Sequence, residues 1–464
     1  MDINPLIFRA YDIRGIAMAE DGEIPDLTAE TMYALGQGIG TYVQSKYGKR
    51  IVCGKDNRLT SDELQEAFLS GLLTTGCIIT NIGYASSPML YFASCVYDVD
   101  AGVNITASHN PKQYNGVKLV AKNAHSICGD ELQVILKIIQ DETFVEGKGE
   151  IVMKDIFPDY LAEIKKNVTM SRSLKVVIDA GNGITGMFAP QIFRELGCEV
   201  VEQHCELDGN FPNHEANPES AKNMEDVTER VKKEKADLGV AFDGDGDRVG
   251  IVDENGQHYH ADFLLIPLSR DLLTRHPGSS VIFDIKSSKV VEDDIRAHGG
   301  KPIRYKTGHS FIETKMKETK ALLGGETSGH IFFAERWFGF DDGMYAGARI
   351  VELLSKGSEP FSKFFQDVPK VFTTPELKAP CSDNAKFRVV EDVKQFFVKR
   401  YPCITIDGVW VDFGKGAWGA VRASNTSPCL TLRFEAHDEK TLNLIKKILL
   451  DKLKEYAEVD LSKI

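Results

Sequence analysis

Residues 243–248, DGDGDR, set three carboxylates at alternating positions with glycine between them. Glycine lets the backbone turn tightly, so Asp243, Asp245 and Asp247 can face one point. An all-oxygen set suits a hard cation such as Mg²⁺. Two other readings stand beside this one. A calcium loop fits the D-x-D-x-D spacing and finds Glu254 where its last ligand belongs, but Arg248 stands where that loop needs glycine. The residues before it also read as a strand. A solvated acidic turn needs no metal. If the cation is Mg²⁺, three carboxylates leave its octahedral set incomplete. A phosphate on Ser108, with water, would supply the remaining oxygens, and Arg248 would add positive charge against the same group. That is the electrostatic half of phosphoryl transfer.

Ser108 lies in TASHNP (106–111), a loop of small and polar residues stiffened at its exit by Pro111. A serine there can present its hydroxyl to a cleft; it can equally be an ordinary capping serine, with His109 and Asn110 bracing the loop. Lys118 is a candidate acid/base or phosphate-binding cation, or a surface lysine. GETSGH (325–330) offers Glu326 and Ser328, the carboxylate and hydroxyl needed to grip vicinal sugar hydroxyls. His330 fits a structural role, a phosphate contact or a proton carrier. RASNTSP (422–428) offers Arg422, Ser424, Asn425 and Thr426, a guanidinium with hydroxyl and amide donors that suits a phosphate. A polar hairpin turn accounts for the serine and asparagine but not for the arginine beside them. Arg14 in AYDIRG, Lys286 in DIKSS, and Lys306 with His309 in KTGHS are further cations near expected strand ends.

The elements that must carry these loops repeat. RIVCGKDNR (50–58), KVVIDAGNG (175–183) and SVIFDIKSS (280–288) are β-branched runs ending in polar loops, as parallel strands do. A helix follows each. The first is expected to be capped by Thr60 with Glu63 in a capping box, and to bury Leu64, Phe68 and Leu72. Each helix ends at glycine before a second strand. Third strands follow at 100–105, 236–242 and 321–325. The loops after those third strands are TASHNP, DGDGDR and GETSGH. Ligands in open α/β sheets sit beyond strand carboxyl ends, so three equivalent loops can converge on one cleft. The expected fold is α/β: three tandem similar domains with mixed or parallel sheets (1–150, 151–254, 255–366) and a C-terminal α+β domain (367–464) around a central cleft. Residues 147–149 and 357–360 read as linkers. The last domain is expected to have a helix at 387–400, a hairpin turning at Asp407-Gly408, strands flanking SNTSPC, and a final helix.

Bulk properties narrow the class. At 464 residues, 42% apolar and 27% charged, the chain suits several globular domains. A net charge of −13 argues against nucleic acid as a partner. No apolar run is long enough to span a membrane, and the N-terminus lacks the apolar stretch of a signal peptide. Nine scattered cysteines without a CxxC pair suggest reduced thiols and a cytoplasmic setting.

TASHNP, DGDGDR, GETSGH and RASNTSP, in that order over the whole chain, resemble the four signature loops of the α-D-phosphohexomutase superfamily. AYDIRG, NGVK, DIKSS and KTGHS fit as well. GETSGH with RASNTSP is most similar to the bacterial phosphomannomutase/phosphoglucomutase branch. Thr327 departs from the methionine common there and leaves the sugar preference open. The phosphoglucosamine mutase branch differs at Thr327 and at Ser424-Asn425-Thr426, and stays as an alternative, as does a metal-dependent sugar phosphatase. The resemblance implies an isomerase that interconverts hexose 1- and 6-phosphates through a phosphoserine at Ser108 and a hexose 1,6-bisphosphate. It implies one Mg²⁺ on Ser108, Asp243, Asp245 and Asp247. Catalytic support is implied for His109, Lys118, Arg248 and His330. Glu326 and Ser328 would contact the sugar O3 and O4, with Thr327 between them. Arg422, Ser424, Asn425 and Thr426 would hold the unreacting phosphate, and Tyr11, Arg14, Lys286 and His309 would line the substrate site. Small sugar phosphates are the expected partners of a monomer or weak dimer.

Overall fold

The computed structural model describes residues 3–19, 22, 24–424, 427–462 and 464. The chain forms two compact units. One holds the residues up to Leu264 together with Ser328–Phe364; the other holds Leu265–Thr327 and Phe365–Ile464.

The first unit contains two of the repeats. In each, the first strand sits between the second and the third, all parallel. In repeat one, Arg50–Lys55 lies between Ile78–Tyr84 and Ala101–Ile105. In repeat two, Lys175–Asp179 lies between Glu199–Gln203 and Leu238–Phe242. Central strands are buried on both faces, which is why they read as near-continuous apolar runs. The sequence shows the parallel strands, but the structure adds an antiparallel fourth strand to each. Tyr114–Ala121 returns along Ala101–Ile105, with Lys118 opposite Asn104. Val249–Asp253 returns along Leu238–Phe242, with Val249 opposite Phe242. Both expected chemical loops therefore close antiparallel hairpins. Ile13–Ile16 pairs with Tyr114–Ala121 at the edge and puts Arg14 opposite Gly116.

Two local expectations change. The helix after the first strand runs Ser61–Thr74 and buries Leu64, Phe68 and Leu72 as its periodicity requires, but Thr60 makes no side-chain cap. Its Oγ1 instead accepts from Asn115 Nδ2 (2.9 Å), so a tertiary bond displaces the capping box. Residues 147–149 are not a free linker. Gly147 N and Gly149 N donate to Thr74 O and Leu73 O (2.8 Å each), and Glu150–Met153 then adds a strand parallel to Ile78–Tyr84.

In the second unit Ser280–Asp284 lies between Lys301–Tyr305 and Leu323–Gly325, all parallel, so the third repeat has the same strand order. The C-terminal part is antiparallel, built on Val409–Gly414, Ala417–Ala423 and Cys429–Ala436, with helices Asp383–Phe397 and Glu439–Leu453. Val389, Val393, Phe397, Leu449 and Leu453 are buried with the sheet's Val411, Val421 and Phe434. Each such side chain contributes about 1.5–3 kcal/mol of burial. The hairpin expected at Asp407-Gly408 exists, but Ile404 pairs with Trp410, so its connection is 405–409, longer than a two-residue turn. Asp407 is taken up by other partners, described below. All nine cysteines are free thiols. Among the described residues no helix is long and apolar enough to cross a membrane.

Candidate active site

In the first unit the two hairpin loops meet. Ser108 is buried, and its backbone is left-handed (φ 51°), an uncommon conformation for a residue with a side chain. Thr106 Oγ1 accepts from Ser108 N (2.9 Å) and holds that turn. Ser108 Oγ donates to Asp243 Oδ2 (2.7 Å) and lies 3.2 Å from His109 Nδ1. The rest of the loop is held by Arg58. Its Nη2 donates to Ser108 O (2.8 Å) and Asn110 O (2.6 Å), and its Nη1 to Pro111 O (2.8 Å) and Tyr114 O (3.0 Å). Asp56 Oδ2 lies 3.2 Å from Arg58 Nε. Arg14 Nη1 donates to Asn110 Oδ1 (2.8 Å) and also pairs with Asp12. Tyr11 lies in the bend just before the Ile13–Ile16 strand.

The carboxylate loop is held from within. Asp243 Oδ1 accepts from Gly246 N (3.0 Å) and Arg248 N (3.1 Å). Gly246 has φ 81°, and a Cβ there would meet Thr185 Cγ2 at 2.5 Å, so glycine is required. Oxygen atoms of Asp243, Asp245 and Asp247 lie within 4.8 Å of one another. Lys118 Nζ pairs with Asp245 Oδ2 (2.7 Å) and with Asp247 Oδ2. Ser87 Oγ donates to Asp245 Oδ2 (2.6 Å). Asp245 Oδ1 is buried without a hydrogen bond, and Asp247 Oδ1 has only a contact with His330 Nε2 at 3.3 Å. Buried carboxylate oxygens so converged and so poorly satisfied fit a small divalent cation.

The charges are strongly perturbed. Burial works against an ionised Asp247, but Lys118 and His330 hold it well below the usual carboxylate range. Burial, then the Asp247 and Asp245 charges, push Asp243 well above that range. Burial also opposes the Lys118 ammonium, yet Asp245 and Asp247 hold it well above the ordinary lysine range. His109 is held well below the usual imidazole range by burial and by the Arg248 and Arg14 guanidiniums, so it is neutral. His330 Nε2 lies between Arg248 Nε (3.3 Å) and Asp247 Oδ1 (3.3 Å), and its Nδ1 lies 2.9 Å from Ser328 Oγ. A cavity of about 210 Å³ opens at Ser108, lined among others by Arg58, His109, Phe211 and Glu215.

In the second unit another group of expected residues comes together. Glu326 is buried, and its Oε1 accepts from Gly308 N (2.5 Å). Asp407 Oδ2 accepts from Thr307 N (3.0 Å) and from Arg422 Nε (2.9 Å). The loops carrying Glu326, His309 and Arg422 are thus tied into one network. His309 is the first residue of the His309–Thr319 helix. Lys286 is buried and pairs with Glu376. Thr327 Oγ1 donates to Asp284 Oδ2 (2.9 Å), so this residue serves the strand end rather than presenting its hydroxyl outward. Ser424 Oγ accepts from Ser427 N (3.1 Å). Asn425 and Thr426 lie outside the described residues. Ser328 belongs to the first unit, with His330.

Sequence reasoning passed over Arg58, Thr106 and Asp407. Arg58 had a signal: it ends the first-strand loop, beyond the strand's carboxyl end, where chemistry collects in this topology. Asp407 had none, because its partners lie 100 and 15 residues away.

Four family models match in chain order: phosphoglucomutase/phosphomannomutase alpha/beta/alpha domain I over residues 5–146, domain II over 158–256, domain III over 260–372, and the C-terminal domain over 376–452. A phosphomannomutase/phosphoglucomutase of Pseudomonas aeruginosa is 43% identical over 449 residues, covering 97% of this chain and 95% of that one. A phosphoglucomutase of Neisseria gonorrhoeae is 42% identical, covering 95% of each. The crystal structure of a phosphoglucomutase/phosphomannomutase family protein from Burkholderia thailandensis superposes with a TM-score of 0.91 at 36% identity, covering 98% of both chains. The match runs through every repeat and the C-terminal domain, and on that ground the chain belongs to the phosphoglucomutase/phosphomannomutase family, isomerases that act as intramolecular phosphotransferases.

Proposed function

We propose that this enzyme interconverts the 1-phosphate and 6-phosphate of mannose, glucose or both, with Ser108 as the phosphoryl carrier and a hexose 1,6-bisphosphate as the intermediate. The observation that carries the reading is the Ser108 hydroxyl, 2.7 Å from Asp243 Oδ2 within the three-carboxylate cluster. The relatives' names support the substrate class.

In the first half-reaction the Oγ–P bond of phosphorylated Ser108 breaks and a bond forms from phosphorus to the sugar's free hydroxyl oxygen. The hydroxyl proton leaves to a base. In the second half, after the bisphosphate turns end over end, its other ester bond breaks and Ser108 Oγ is phosphorylated again. The sugar oxygen left behind takes up a proton. Asp243, Asp245 and Asp247 with Ser108 would hold one Mg²⁺, which when bound supplies positive charge to the phosphoryl oxygens.

The chain's own residues divide the remaining work. Lys118 is committed to Asp245 and Asp247 and stays charged, which favours a countercharge role over that of base. His109, with Nδ1 3.2 Å from Ser108 Oγ, lies within proton-transfer reach of the reacting oxygen, although its burial and the nearby guanidiniums weaken it as a base. His330 Nε2 sits between a donor and a carboxylate and suits proton exchange at the opposite end. The Glu326 carboxylate, oriented by Gly308 N–H, would accept from O3 and O4, which glucose and mannose share. Arg422, fixed by Asp407, would hold the distal phosphate.

The test is a coupled assay with the 1-phosphates of glucose, mannose and glucosamine, together with mass spectrometry of the peptide containing Ser108. The expected outcome is turnover of a glucose or mannose ester and phosphate on that serine. Ser108→Ala is expected to lose at least about 10³-fold in kcat. Inorganic phosphate released without the 6-phosphate, or active enzyme without phosphoserine, would remove the mechanism.

A further inference from the structure

We propose that Asp179, His204 and His214 form a second cation site, of the nitrogen-rich kind that zinc occupies, separate from the all-oxygen cluster. The three lie in the first unit, at the carboxyl end of the Lys175–Asp179 strand and in the segment after Glu199–Gln203. One ligand atom from each lies within 4.8 Å of the others. Two imidazoles with a carboxylate favour Zn²⁺, Co²⁺ or Ni²⁺ over Mg²⁺.

The hydrogen bonds ask for positive charge between these groups. His214 Nδ1 lies 2.9 Å from Glu215 O, and a carbonyl only accepts, so Nδ1 carries the proton. In the neutral ring Nε2 then presents a lone pair to Asp179 Oδ2 at 3.2 Å. A lone pair facing a carboxylate is repulsive unless positive charge lies between them. The other oxygen, Asp179 Oδ1, is oriented by Gly181 N (2.9 Å). A backbone carbonyl behind a histidine is the usual support of a metal-bound ring. The 3.2 Å separation is close to the about 3.3 Å ligand–ligand edge expected of a tetrahedron with bonds of about 2.0–2.1 Å. Asp226 Oδ2 and Gln203 Nε2 each lie 2.9 Å from His204 Nε2, so a second carboxylate stands alongside. His204 takes a left-handed backbone (φ 47°) to place its ring there. The competing occupant is a second proton on His214, which makes an ordinary ion pair.

The site would fasten both ends of one loop. Between His204 and His214 the chain runs out to the Ser108 cavity, where Asn210 and Phe211 join the lining, followed by Glu215 and Ala216. The Phe211 ring lies 5.2 Å from the Arg58 guanidinium, and Ala216 O accepts from Gly244 N (3.2 Å) in the carboxylate loop. A cation here would therefore position the wall of the cavity without touching substrate.

The test titrates the full chain, in excess Mg²⁺, with Co²⁺ and reads visible absorption. One equivalent is expected to give the intense bands of four-coordinate Co²⁺. His204→Gln and His214→Gln are each expected to weaken binding by at least about 100-fold, while Asp245→Asn keeps the bands. Two variants are used because either alone can fail to fold. Only the weak bands of octahedral Co²⁺ in the unmodified chain, or intense bands that survive both histidine changes, overturn the proposal.

Discussion

The loops at 106–113 and 243–248 occupy the same place in two repeats, each joining a third parallel strand to an antiparallel return. They are held in opposite ways. The serine loop borrows its scaffold. Arg58, from the end of another strand, donates to three of its carbonyls and to Tyr114 O at the start of the return strand, which adds to the bonds from Ser108 N to Thr106 and from Asn110 N to Ala107 O. The carboxylate loop is shaped more from within, with Asp243 gathering two amides of the same turn, while Ser87 and Lys118 of the first repeat bond Asp245. The difference follows from what each presents. A loop offering one neutral hydroxyl can be shaped from outside by a cation. A loop offering three carboxylates is shaped by backbone amides and glycine at Asp243, while Lys118 meets the charge of Asp245 and Asp247.

The largest break in this comparison should come from Arg58→Ala. It leaves Asp56 buried without its charged partner and takes the side-chain donor from four carbonyls, which costs about 3–5 kcal/mol, read by denaturant unfolding. Arg58→Lys should restore part of the stability but little of the kcat, because an ammonium cannot span four carbonyls. Gly246→Ala tests the self-built loop. A left-handed backbone and the clash with Thr185 together should cost about 2 kcal/mol, and Thr185→Ser should relieve only the clash. Chelation of divalent ions sharpens the contrast. Hydrogen exchange at the Gly246 and Arg248 amides should quicken as the carboxylates repel, while the Asn110 amide, bonded to Ala107 O in the loop that Arg58 shapes, should change little. The smallest effect is expected of Thr106→Ala, which removes the one side-chain bond to Ser108 N, about 1 kcal/mol.

Much of this was legible in the amino-acid sequence because it is local. First strands announce themselves by β-branched residues, and DGDGDR or TASHNP carry their chemistry in adjacent positions. The antiparallel return strands were harder to see, since pairing is what gives NGVKLVA and RVGIVD their partners. The capping box at Thr60 fails for the same reason. A local rule favoured it, and Asn115, far along the chain, offered the hydroxyl a better bond. Asp407 looked like half of a turn and serves instead to hold Arg422. In each case the missing information was a contact across many residues, to which periodicity and propensity are blind.

The hydrogen bond from Ser108 to Asp243 spans 135 residues. Each loop forms inside its own hairpin, a short-range event, whereas their meeting requires two folded repeats to dock. During synthesis the serine hairpin is complete before residues 243–248 have left the ribosome, and domains fold largely in that order. The hydroxyl is therefore presented for a time with none of the carboxylates beside it. Refolding from denaturant should show the same interval, with helix and strand signals returning before any capacity to transfer phosphate, and the delay measures docking rather than the formation of either loop.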